Sequence, residues 1–104
     1  MTWQPATIQE VEKIIEEDAI SFDEEQAKAW GKYKVVPYRA SISRHDEIES
    51  VVVVARKDDH VIYWEDIEEG FNTSPIDSAG TILEHWCNQD CLSVALNSWI
   101  PSIT

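Results

Sequence analysis

The sequence predicts an α+β domain with the element order ααβββαα, because its hydrophobic period changes twice along the chain. Apolar residues recur at helical spacing near the N-terminus, alternate between residues 33 and 67, and return to helical spacing after residue 74. Three strands with short connections favour an antiparallel meander flanked by N-terminal and C-terminal helix pairs. The 104 residues, without repeats or linkers, are expected to form one domain spanning 1–104.

Two capping signatures predict two helices at the N-terminal end. The run Thr7–Glu10 is a capping box, and the apolar stripe that follows predicts a helix from about Ile8 to Ala19. A second signature at Ser21–Glu24 predicts a short helix from about Phe22 to Trp30, and Gly31 is expected to be its left-handed C-terminal residue.

Three strands are predicted in the middle of the chain. The first spans residues 33–42, with Val36, Tyr38, Ala40 and Ile42 on one face and Tyr33 and Val35 on the other. Pro37 cannot donate a ladder hydrogen bond, so we expect this strand at an edge or bulged.

The second strand, Ile48–Arg56, is apolar on both faces and is expected to be central. Lys57–Asp59 predicts a tight hairpin leading to a third strand at His60–Ile67.

After the sheet, which is expected to end at Glu68–Gly70, two more helices are predicted. Ser74 and Pro75 resemble a helix start, and an apolar stripe follows over residues 76–86. Asp90 is expected to cap a last helix, whose apolar residues lie between Leu92 and Trp99. If all helices cover one sheet face, the other face remains apolar and exposed, and a homodimer through that face is possible.

The net charge of −12 is distributed unevenly. Residues 58–104 contain nine acids and no base, so this part carries −9, and Lys57 is the last basic residue. Such a field repels nucleic acid and anionic membranes and attracts basic partners. We therefore expect a basic protein partner and no direct contact with nucleic acid or membrane; the alternative is that the acids only maintain solubility.

The sequence predicts a cytoplasmic protein without a metal or other cofactor. It has no visible signal peptide and no apolar run near the roughly 20 residues of a membrane span. Cys87 and Cys91 are too few for a disulfide scaffold. With His85 they make the most zinc-like cluster, but a fourth ligand would have to come from a distant residue such as His60 or Asp90, so both cysteines are interpreted as small buried hydrophobic residues.

No catalytic motif is recognisable, so the sequence predicts a protein that is not an enzyme. Asp58, Asp59 and His60 form a polar cluster, but its position predicts turn chemistry rather than proton transfer. The chain has no G-x-S-x-G motif, and its three glycines are too far apart for a phosphate loop.

The segment from Trp64 to Asn72 is the best candidate for recognition, since two aromatic residues enclose four acids. Aromatic anchors supply binding energy, and carboxylates select a basic partner. The predicted partner-binding residues are Trp64, Glu65, Asp66, Glu68, Glu69 and Phe71. The alternative interpretation is that Trp64 and Phe71 are core residues on either side of an ordinary polar loop.

These observations favour an inhibitor or immunity-type protein that neutralises a basic, nuclease-like partner in a bacterium. In size, charge and absence of catalytic motifs the chain is similar to small immunity proteins, although no specific motif ties it to one family. The alternatives are a homo-oligomeric structural or regulatory domain, a nucleic-acid-mimicking inhibitor of phage type, and an enzyme that uses His60 or His85.

Overall fold

The computed structural model describes residues 6–44, 47–65, 69–84 and 90–100. Within these ranges the chain is an α+β structure in which a four-stranded antiparallel sheet packs with three helices. The helices are α1 (Ile8–Ala19), α2 (Glu24–Tyr33) and α3 (Leu92–Asn97), and the strands are β1 (Lys34–Arg44), β2 (Glu47–Lys57), β3 (His60–Glu65) and β4 (Gly70–Pro75). The strand order is β1-β2-β3-β4, so the predicted meander is confirmed and has one more strand than expected.

The predicted bounds of α1 are confirmed, and its capping box forms as expected. The Thr7 hydroxyl oxygen accepts a hydrogen bond from the Glu10 backbone N–H at 3.1 Å. The Glu10 carboxylate accepts one from the Thr7 backbone N–H at 3.2 Å. These two bonds satisfy backbone donors that the first helical turn leaves unpaired, which fixes where the helix begins.

Helix α2 begins two residues later than predicted, because its N-cap residue is Asp23 rather than Ser21. The Asp23 carboxylate accepts from the Gln26 N–H at 2.8 Å, and the Gln26 side chain accepts from the Asp23 N–H at 2.9 Å. The Ser21 hydroxyl instead donates to the Asp18 carbonyl. The helix continues to Tyr33, so the prediction that Gly31 ends it was wrong.

Strand β1 lies at the sheet edge, and its pairing with β2 is irregular between Lys34 and Tyr38, as Pro37 predicted. The irregularity changes which side chains share a face. Val35 packs on the same cluster as Tyr38, whereas Val36 is 87% exposed, so the predicted faces of these two valines were wrong.

Strand β2 is central and buried on both faces, as its run of apolar residues predicted. A second register shift against β3 lies between Val53 and Ala55. Val54 and Ala55 consequently both pack with Val52, whereas strict alternation predicted Ala55 on the opposite face.

The helix predicted after Ser74 was wrong over residues 76–84; residues 85–89 lie outside the described ranges. Residues 70–75 form β4 instead, and the chain then turns back on itself. The Asp77 carboxylate accepts from the Ala79 and Thr81 N–H groups, both at 2.9 Å, and Gly80 has φ +83°. These local hydrogen bonds and the left-handed glycine stabilise a turn where the apolar spacing alone predicted a helix.

The last helix is shorter than predicted and begins after Cys91, not Asp90. The carboxylate of Asp18 in α1 accepts from the Leu92 N–H at 3.0 Å, so a distant side chain supplies the missing cap. This bond fixes the C-terminal end of α1 against the start of α3.

The two faces of the sheet are covered in different ways. We call the first the helix-covered face, because α1, α2 and α3 pack on it. Its buried residues are Val11, Ala29, Val52, Val54, Ala55, Ile62, Trp64, Phe71, Leu92, Ala95, Leu96 and Trp99. We call the second the loop-covered face. Its buried residues are Ala40, Ile42, Val51, Val53, Val61, Tyr63, Ile76 and Ile82.

The segment 76–84 covers the second face and connects the two edges of the sheet. The Ile82 N–H donates to the Ser41 carbonyl of β1 at 2.8 Å, and the Leu83 N–H donates to the Pro75 carbonyl of β4 at 3.1 Å. Since β1 and β4 are opposite edges, the sheet must curl over this face for both bonds to form. The apolar face on which a homodimer was expected is therefore buried within the chain. Dimerisation stays a prediction, but this face is not exposed to form the interface.

Candidate protein-interaction surface

The two aromatic residues of the predicted recognition segment lie in the core. Trp64 on β3 and Phe71 on β4 are direct partners across the two strands. Their ring centroids are 5.0 Å apart in an edge-to-face arrangement, and the residues are 7% and 1% exposed. Both belong to the helix-covered face, so their rings have almost no surface to offer a partner.

The carboxylates of the same segment are divided between the interior and the surface. Glu65 is fully buried at the end of β3, opposite Gly70, and Glu69 is exposed with φ +56° in the turn before β4. Asp66 and Glu68 lie outside the described residues. Among the described members of the predicted site, Glu69 is thus the one with an exposed side chain, and contact of the segment with a partner stays a prediction.

Asp58 and Asp59 form the tight hairpin turn between β2 and β3, as predicted, and His60 is the first residue of β3. Asp58 has φ +56°, and its carbonyl accepts from Nε of Arg56 at 2.9 Å. The Asp59 carboxylate lies 2.9 Å from Nδ1 of His60. Asp58, Asp59 and His60 are all exposed, and their local contacts account for the turn.

The cysteine and histidine cluster is described only in part, since His85 and Cys87 lie outside the described residues. Cys91 is exposed, not buried as the sequence predicted, and its Sγ lies 3.2 Å from the Ser93 hydroxyl. Over the described ranges, the structure contains no group of three or more side chains placed to hold a metal ion. The helices within the same ranges also include none long and apolar enough to cross a membrane.

An exposed apolar side chain surrounded by acids lies where α1 turns into α2. We call this surface the acidic corner and define it by Glu16, Glu17, Ile20, Asp23 and Glu24. Ile20 is 86% exposed, and the two glutamates precede it by three and four residues, the spacing that places side chains on one helical face. Asp23 and Glu24 begin the next helix within a few residues, and all four acids are exposed.

The acidic corner has a defined backbone conformation. The Ile20 N–H donates to the Glu17 carbonyl at 3.3 Å, and the Ser21 N–H donates to the Asp18 carbonyl at 3.1 Å. With the cap of α2 at Asp23, these bonds hold the exposed Ile20 between two ordered helix ends. A partner would therefore meet a surface that needs little ordering on binding.

Two glutamates of the corner, Glu16 and Glu17, oppose the dipole of their own helix. The C-terminal end of a helix carries partial negative charge, so basic residues stabilise it and acids destabilise it. The last turn of α1 contains Glu16, Glu17 and Asp18 and no basic residue. Asp18 caps α3, but among the described residues neither Glu16 nor Glu17 forms an ion pair; Glu24 pairs with Lys28 at 3.5 Å.

Sequence reasoning did not identify the acidic corner. Ile20 follows the last residue of the α1 stripe, and an isolated apolar residue gives no indication of whether it turns inward. The one available signal was its position among acids on both sides, at the end of a helix where basic residues would be favourable. Comparison of the chain with family models, curated proteins and solved structures gives no match.

Proposed function

We propose that this protein is a non-enzymatic binding protein that contacts a basic protein partner through the acidic corner. The role that agrees best with its charge is that of a cytoplasmic inhibitor or immunity-type protein for a nuclease-like partner. The observation that carries the proposal is Ile20, 86% exposed beside carboxylates that destabilise the end of their own helix. A purely structural role would favour the opposite charge at that helix end.

The two kinds of side chain in the corner have different tasks. Full burial of an isoleucine side chain in an interface contributes about 1.5–3 kcal/mol, which makes Ile20 a suitable anchor. The surrounding carboxylates accelerate the encounter with a positively charged face and disfavour acidic partners. Nucleases bind phosphate groups with lysine and arginine, so their active faces have the charge that this surface selects.

The first experiment places a photo-crosslinking residue on the corner inside the native host. Ile20→p-benzoylphenylalanine is compared with Val36→p-benzoylphenylalanine, because Val36 is equally exposed but lies on the edge strand β1. We expect position 20 to crosslink a basic protein that mass spectrometry identifies and that position 36 does not capture. Equal products at both positions, or no basic protein at position 20, would refute the proposal.

The second experiment separates binding from stability with a charge-matched pair of variants. Glu16→Gln/Glu17→Gln removes the two corner glutamates of α1, and Glu12→Gln/Glu47→Gln removes two exposed acids elsewhere. With the crosslinked partner purified, we expect the corner variant to associate about threefold to tenfold more slowly at low salt. The same variant should be more stable by about 0.5 kcal/mol, since the helix dipole is no longer opposed. Equal association rates for the two variants would contradict the proposed role of the corner.

A further inference from the structure

The short helix α3 connects the two helices that form the acidic corner. It packs against both α1 and α2. At its start the Leu92 N–H donates to the carboxylate of Asp18 on α1 at 3.0 Å. At its end the side-chain oxygen of Asn97 accepts from Nε2 of Gln26 on α2 at 3.1 Å. One helix of six residues therefore contacts the last turn of α1 and the first turn of α2 through side-chain hydrogen bonds.

Asp18 joins α3 to the exposed turn of the acidic corner. Its carboxylate caps α3, because Cys91 at the N-cap position forms no side-chain cap hydrogen bond. Its carbonyl oxygen accepts from the Ser21 N–H at 3.1 Å and from the Ser21 hydroxyl at 2.8 Å. Ile20 lies between these two residues in the chain. The residue that is bonded to α3 therefore also fixes the turn that exposes Ile20 to solvent.

Gln26 has the matching role on the other side of the corner. Its side-chain oxygen accepts from the N–H of Asp23 at 2.9 Å and closes the capping box of α2. Its side-chain nitrogen donates to Asn97, so the hydrogen bonds of the capping box continue to α3. Because Asp23 belongs to the acidic corner, the corner is bonded to α3 on both of its sides. We call α3 with its hydrogen bonds to Asp18 and Gln26 the brace.

We propose that the brace holds the acidic corner in the conformation that binds the basic partner, an inference that rests on the proposed function. A surface whose turn is already ordered loses less conformational entropy on binding, so its complex dissociates more slowly. The coupling is reciprocal, so a partner that binds the braced corner also stabilises the hydrogen bonds of the brace. Asp18 and Asn97 are thus positioning residues for the contact that Ile20 makes.

The first test measures hydrogen exchange in the free chain. Asp18→Ala removes the cap of α3, and we expect the Ser21 and Leu92 amides to exchange about fivefold faster, the factor that corresponds to the loss of one N-cap. Asp18→Asn removes the charge but keeps an oxygen that can accept from the Leu92 N–H. Exchange of both amides in Asp18→Asn should therefore stay within twofold of the wild type.

The second test measures binding kinetics with the basic partner that the crosslink at position 20 identifies. Asn97→Ala removes the contact with Gln26, and we expect the complex to dissociate about threefold faster. The association rate should not change, because every charge of the corner is kept. Val94→Ala is the matched control on the same helix, since Val94 is exposed and outside the brace, and it should change neither rate. Partner binding should also slow exchange of the Leu92 amide.

Three results would overturn the proposal. The first is a Ser21 amide whose exchange Asp18→Ala leaves within twofold of the wild type. The second is equal exchange in Asp18→Ala and Asp18→Asn, which would indicate an effect of charge rather than of the cap. The third is the same dissociation rate for Asn97→Ala and Val94→Ala. Absence of a basic partner at position 20 would instead refute the proposed function, and exchange in the free chain would still decide whether α3 orders the corner.

Discussion

The two faces of the sheet bury similar rows of aliphatic side chains, but different interactions stabilise the layers that cover them. On the helix-covered face, α1, α2, α3 and the residues after α3 contribute apolar surfaces that include Leu96 and Trp99. On the loop-covered face, the segment 76–84 contributes two buried isoleucines, Ile76 and Ile82. Backbone hydrogen bonds to both sheet edges hold that segment in place. Hydrophobic area therefore stabilises one cover, and hydrogen bonds with turn geometry stabilise much of the other.

The largest effect is expected on the helix-covered face, where Leu96→Ala removes a fully buried side chain. Leu96 packs between the helices and the sheet, so we expect the cavity to collapse little and the free energy of unfolding to fall by about 3 kcal/mol. Urea denaturation measures this change as a lower midpoint with an unchanged slope. Ser93→Ala on the same helix is a control, because its side chain is only partly buried.

The corresponding change on the loop-covered face, Ile82→Ala, should lower the free energy of unfolding by less, about 2 kcal/mol. The segment can settle toward the sheet, and the bond from the Ile82 N–H to Ser41 does not depend on the side chain. Hydrogen exchange measures the difference directly: the Ile82 amide should exchange through local opening, and the Leu96 amide through global unfolding. If Ile82→Ala lowers the free energy of unfolding more than Leu96→Ala does, the two covering layers do not differ in the way described above.

The helix-covered face was the more predictable one, because its elements have strong local signals. The capping box at Thr7 and the apolar stripe after it determined both ends of α1, and the two-sided apolar run of β2 indicated a central strand. Pro37 likewise indicated an irregular edge strand. In each of these cases the local chemistry and the tertiary packing favour the same structure.

Strand β4 and the loop-covered face were not predictable, because their structure depends on distant partners. Gly70, Asn72 and Pro75 are poor strand formers, yet β4 forms since Phe71 pairs with Trp64 on β3. Once β4 forms, residues 76–84, whose apolar spacing predicted a helix, become the segment that covers the sheet. The same limit applied to the candidate site, since the exposure of Ile20 does not follow from the local sequence.

The smallest expected effect concerns the turn that returns the covering segment to the sheet. Asp77→Ala removes the carboxylate that accepts from Ala79 and Thr81, and we expect a loss of about 1 kcal/mol in thermal or urea unfolding. Asp77→Asn is the matched variant, because its amide oxygen can accept the same bonds, and it should lose less than half as much. In Asp77→Ala the Ile82 amide should also exchange hydrogen faster through local opening. The exchange rate of the Leu96 amide should change only as much as the loss of global stability requires. Equal losses for both variants would mean that the charge of Asp77 matters rather than its bonds, and the loop-covered face would then not depend on turn geometry.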